Sequence, residues 1–143
     1  MEGDHELGAD LLARMAEGHA DFTLTFRALS EAVADPSRDT DVRALFVNPA
    51  AFDDWARRWR ERLSRESRSA DERRSRMLAA NPMFIPRNHR IEAAIADAEG
   101  GHFDKFHELV AVLSHPFEDQ REFADYAKPP MPEEEVQQTF CGT

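Results

Sequence analysis

Cysteine, lysine and long apolar runs are all scarce in this sequence, and each scarcity removes a class of protein. The single cysteine among 143 residues is Cys141. One thiol makes no internal disulfide, so a secreted disulfide framework is excluded and a reducing cytoplasmic setting is expected. No stretch approaches the roughly 20 apolar residues of a membrane-spanning helix. The opening MEGDHELGAD is acidic and lacks the apolar core of a signal peptide. A soluble protein with no membrane partner is expected. Lysine occurs only as Lys105 and Lys128 beside 16 arginines. That bias reflects coding composition more than mechanism.

The sequence also lacks the short motifs that announce chemistry. It has no GxGxxG, no GxxxxGK[ST] and no nucleophile elbow. The six histidines (His5, His19, His89, His102, His107 and His115) include no HExxH pair, and none joins the cysteine at zinc-finger spacing. Imidazoles without a metal are expected. Asp53-Asp54 and Glu133 to Glu135 read as a helix N-terminal charge and a solvated tail. No catalytic residue, cofactor-binding residue or metal ligand is assigned.

What is present is helical patterning. A chain of this length forms one domain and buries roughly 68–70% of its unfolded surface. A first helix is expected from about Asp10 to Glu17, stopped by Gly18 as a C′ residue. Asp21 offers an N-cap to a helix whose Phe22, Phe26, Leu29 and Val33 share a face, ended by Asp35-Pro36. PSRDTD reads as a loop, and Asp41 to Phe46 as a short helical turn. Asn48-Pro49 opens a helix with the stripe Phe52, Trp55, Trp59 and Leu63, in which both tryptophans should be buried. Ser69 caps another through Leu78. Helices follow at about Asn88 to Glu99 and Phe103 to Leu113, the latter presenting Phe103, Phe106, Val110 and Leu113. The expected architecture is all-α: an irregular bundle of about six helices over 1–127, and a flexible acidic tail over 128–143 that carries the cysteine.

Charge is uneven. From Arg57 to Arg76 nine arginines face four acids, although the whole chain carries −10. The two helices of this segment are expected to form an antiparallel hairpin. Its arginines either lay their stems over the tryptophan stripe and pair with Glu61, Glu66, Asp71 and Glu72, or contact an acidic partner. A structural role or a protein contact is favoured over contact with phosphates, and overall acidity argues against general nucleic-acid binding although a local patch could act. A second element is NPMFIPRNH, an apolar run between prolines. Its buried backbone needs partners, for which Asn81, Arg87 and Asn88 are suited.

Several stretches taken in order carry a resemblance: ADFTLTFRALS, FDDWARRWRERL, RMLAANPMFIPRNHRIEAAIADAEGGHFDKFHELVAVLSHPF and TFCGT. Together they resemble the C-terminal region of the selenoprotein O family, over nearly the whole chain and most specifically from Met77 to Pro116. Asn81, Pro82, Arg87 and Asn88 form the structural part of that motif. The family is kinase-like, and the resemblance implies transfer of AMP from ATP to Ser, Thr or Tyr hydroxyls of protein substrates, with Mg²⁺ and a reversed nucleotide. The Gly-rich loop, nucleotide-binding lysine and metal-binding Asp and Asn precede this region in the family, and none is found here. The chain is therefore expected to be a fragment whose Met1 is not the native beginning. It would bind no cofactor by itself and pack on the kinase-like domain of the same polypeptide.

Cys141 looks like the match to the selenocysteine or cysteine near the end of family members, although GT follows it here. The resemblance and the position together imply a redox-active tail thiol pairing with a cysteine in the kinase-like part. The bland alternative is an inert thiol. The other functional reading is a non-enzymatic helical adaptor, binding an acidic protein or nucleic acid through the arginine-rich hairpin.

Overall fold

The computed structural model describes residues 3–137. Among them the structure is all-α, with seven α-helices, three short 3-10 helices and no strand. The chain divides into two compact units, Met1–Asn81 and Pro82–Thr143.

The first unit holds α1 (Asp4–Glu17), α2 (Phe22–Ala32), α3 (Asp39–Arg43), α4 (Pro49–Leu63) and α5 (Ala70–Ala80). Local signals place their starts. The Asp21 carboxylate accepts from Leu24 N at 2.9 Å, and Asn48 Oδ1 accepts from Ala50 N at 3.2 Å ahead of Pro49. Ser69 and Glu72 form a reciprocal capping box. PSRDTD, expected as a loop, is helical throughout: a 3-10 turn at Pro36–Arg38 leads straight into α3. Asp35 allows this by accepting from Ser37 N and from Ser37 Oγ, which fixes the turn after the proline break.

The end of α1 departs from the simple glycine stop. Gly18 sits at φ −87°, and the left-handed residue is His19 at φ 50°. Ala20 N donates to Met15 O at 2.9 Å across that turn. Gly18 is needed for space instead, since a Cβ there would stand 2.8 Å from the Phe46 ring and 2.9 Å from Arg14 O.

The core of this unit is an aromatic ladder that runs from Phe46, in the turn after α3, along α4. Phe46, Phe52, Trp55 and Trp59 follow one another with ring centroids 5.6, 6.0 and 5.3 Å apart. All four are buried, as expected for the tryptophans, and Leu11, Met15, Leu29, Val33 and Val42 pack around them. Burying side chains of this size contributes roughly 1.5–3 kcal/mol each. Phe22 is the exception on the α2 stripe. It remains 62% exposed, its ring tilted against Phe26 at 4.8 Å.

The second unit holds α6 (Asn88–Glu99) and α7 (Asp104–Ser114), packed against each other, with 3-10 turns at Arg121–Ala127 and Pro132–Glu134. Gly101 at φ +85° makes the tight turn between the helices, where His102 N donates to Asp97 O at 2.9 Å. The end of α7 is reinforced by Gln120, whose Nε2 donates to Val112 O and His115 O, carbonyls that also accept from His115 N and Glu118 N. Tyr126 O–H donates to Glu108 at 2.7 Å. Burial and that carboxylate push the Tyr126 phenol up to about 12.

The α7 face expected to be inside is largely outside. Phe103, Phe106 and Val110 are each about half exposed, whereas Leu109 and Val112 are buried. α7 is apolar on more than one side, and α6 covers only part of it.

Candidate functional site

The arginine-rich segment is a set of ties between helices. Arg62 on α4 pairs with Asp4 on α1, Arg58 pairs with Asp10, and Arg60 pairs with Asp39 while donating to Ala32 O at 2.7 Å. Arg74 on α5 holds Glu31 on α2 through two bonds of 2.7 and 2.9 Å. These guanidinium groups keep the Asp4, Asp10 and Glu31 carboxyls below their ordinary range, with Arg62, Arg58 and Arg74 as the respective main causes. Arg60 also lies over the Trp59 ring at 4.7 Å. Two of the acids expected as partners do serve, Glu61 for Arg65 and Glu66 for Arg68.

The expected antiparallel hairpin of α4 and α5 is not among the principal helix pairs. α4 packs on α1 and α3, and α5 packs on α2. α5 is tied to α2 instead, by Arg74 on Glu31 and Asn81 on Ser30, and offers the core only the partly buried Met77. Arg73 supplies the bond between them, donating to Leu63 O at 2.9 Å.

Asn81 ends α5 and ties it to α2. Its Nδ2 lies 3.2 Å from Ser30 Oγ and 2.9 Å from Met77 O, and its own carbonyl accepts from Arg27 at 3.1 Å. Pro82 opens the second unit. The buried loop there is anchored by a group the sequence does not advertise: Pro116 O accepts from both Met83 N and Phe84 N, at 2.8 and 3.2 Å. Phe84 fills the core beside it, 2% exposed.

Arg87 is the N-cap residue of α6 and Asn88 its first residue, with no side-chain capping bond. Arg87 and His89 are both buried. They line a cavity of about 530 Å³ with Asn88 and Ile85, and Glu134 and Glu135 line it too. Positive and negative groups thus share one cavity, and charge alone selects neither sign of ligand. Burial first, then Arg90, holds the His89 imidazole below its ordinary range, and its Nε2 has no hydrogen-bond partner among the described residues. Arg90 turns elsewhere, donating to Asp125 O at 2.7 Å and covering the Tyr126 ring. A second, apolar cavity of about 280 Å³ lies in the first unit, lined by Leu7, Leu11, Phe26, Trp55, Trp59 and Met77.

Among the described residues, no group of three or more His, Cys, Asp or Glu side chains could hold a metal ion, and no helix is long and apolar enough to cross a membrane. Asn81, Pro82, Arg87 and Asn88 are thus placed at the junction of the units and the start of α6. Cys141 lies outside the described residues.

The tied helical core and the proline-flanked loop belong to a class known by sequence. The profile of the family described as "Protein adenylyltransferase SelO" matches residues 1–114, and the chain belongs to that family. It is 76% identical over its whole length to the protein nucleotidyltransferase YdiU of Nitrobacter hamburgensis, and 68% identical to that of Nitrobacter winogradskyi. Identity to the protein of the same name from Bradyrhizobium diazoefficiens is 57% over 99% of the chain. The chain spans 28% of the length of the two Nitrobacter relatives and 29% of the third.

Proposed function

We propose that this chain is the helical C-terminal part of a longer protein adenylyltransferase, one that moves AMP from ATP to hydroxyls of cytoplasmic protein substrates. The observation that carries the reading is the pairing of strong whole-chain identity to protein nucleotidyltransferases with coverage of under a third of their length. ATP, Mg²⁺ and the kinase-like catalytic groups would belong to the remainder of the polypeptide. In this reading the first unit is a scaffold, with Asn81 tying its α5 to α2. The ion-paired state of Arg58, Arg60, Arg62 and Arg74 supports a structural role for the arginine segment over the adaptor reading, because those charges are already matched within the fold.

Cys141 is proposed as the redox-sensitive group of the parent protein. Oxidation would join its sulfur to a second thiol of the kinase-like part, with loss of two protons and two electrons to a disulfide or peroxide oxidant. The test measures AMP transfer from labelled ATP with Mg²⁺ by the parent protein and by its Cys141→Ser variant, each reduced and oxidised. A redox response in the wild type that the serine variant lacks is the expected result. Equal responses in both would remove Cys141 from the account.

A further inference from the structure

α7 carries an apolar face that its own unit leaves half exposed. Phe106 and Val110 stand at i and i+4 on one side of the helix, with Phe103 as its N-cap residue, and the three are 49, 50 and 51% exposed. The buried positions of α7 are Leu109 and Val112. Half of two phenylalanines and a valine leaves roughly 250 Å² of apolar surface at water. Single exposed apolar residues are ordinary, but three in register along one helix form a docking stripe.

Two facts select the occupant. α7 falls within the residues matched by the family, and the relatives carry this segment within polypeptides of which it is 28–29%. Far more chain is therefore available to cover the stripe than the 143 residues contain. Charge argues against a second copy of this chain. From 82 to 143 there are five basic and twelve acidic residues, with Asp104 and Glu108 on α7 itself, so two copies would bring like charge together.

Resting on the function proposed above, we propose that the Phe103, Phe106 and Val110 face docks on the part of the family polypeptide outside these 143 residues, against an apolar patch rimmed by basic side chains. The surface is a permanent intramolecular interface of the parent protein. The acidic flanks set its orientation, and the aromatic stripe supplies its affinity.

The test uses the 143-residue chain and the remainder of the parent as two purified proteins, with binding measured for wild type, Phe106→Asp and Phe117→Asp. Phe117 is a control, an exposed phenylalanine of the same unit outside α7. Phe106→Asp should weaken binding about tenfold or more with an unchanged melting curve for the chain, and Phe117→Asp should leave binding unchanged. Hydroxyl-radical footprinting gives a second measurement that needs no separated remainder. Phe103 and Phe106 should be oxidised in the chain alone and protected in the intact parent. Equal labelling in both, protection already present in the isolated chain, or binding indifferent to Phe106→Asp would overturn the proposal. So would dimerisation of the chain that Phe106→Asp abolishes and the remainder does not displace. AMP transfer by the parent is scored separately: transfer without this docking sinks the interface alone, and docking without transfer sinks the catalytic reading alone.

Discussion

Trp55 Nε1 donates to the carbonyl of Leu7 at 2.9 Å, joining α4 to α1 across 48 positions of sequence. The bond lets a tryptophan occupy the core without leaving its N–H unmatched. Trp59 stacks on Trp55 at 5.3 Å without a corresponding polar tie. The two rings should therefore respond differently to substitution.

Trp59→Ala should cost about 3–5 kcal/mol, the range for emptying a large aromatic site. Trp55→Phe removes less volume but loses the indole hydrogen bond to Leu7 O, which keeps its place in the helix, and should cost about 0.5–1.5 kcal/mol for the bond beyond the lost packing. Denaturant melts of the chain check both. An unchanged midpoint for Trp59→Ala would mean that the ladder is not the core.

His19 adopts φ 50° with its side chain exposed. A non-glycine residue in the left-handed region is strained by about 1–2 kcal/mol, part of which glycine returns to its larger unfolded-state entropy. His19→Gly should raise stability by up to about 1 kcal/mol. Gly18→Ala should do the reverse, because its Cβ would meet Phe46 and a backbone carbonyl. A thermal melt of each variant separates the two roles.

His89 gives the fold a pH dependence in a window where carboxylates are silent. Its folded-state pKa lies below the ordinary value of 6.5, through burial, Arg90 and Arg87, with Glu134 opposing. The unfolded chain then binds more protons as pH falls, so this contribution is complete above about 6.5 and is lost progressively toward the lower folded value. Wild-type stability should decline as pH falls below about 6.5, and His89→Leu should flatten that decline. Equal slopes for both proteins would show that His89 titrates normally.

Much of this fold was legible because helix boundaries are written locally. Asp21, Asn48-Pro49, Ser69 with Glu72, and Gly100-Gly101 each mark an end within a few residues, and the structure uses all of them. Pairing between helices was less legible. Arg62 reaches Asp4, 58 positions away, in preference to acids of its own segment, and no spacing rule announces that choice. The inward side of α7 was ambiguous because Phe103, Phe106 and Val110 compete with Leu109 and Val112 around one helix. Of the loop motif, Asn81 could be singled out for its side-chain amide, whereas the Pro116 carbonyl could not, since every residue has one.

The central claim is that these residues support a nucleotidyltransferase without containing its chemistry. The direct measurement is AMP transfer from labelled ATP with Mg²⁺ to protein acceptors, by the 143-residue chain alone and by the longer parent polypeptide side by side. The account predicts transfer by the parent and none by the chain. Transfer by the chain alone would contradict it, and would require a catalytic site among residues here assigned to scaffold and docking.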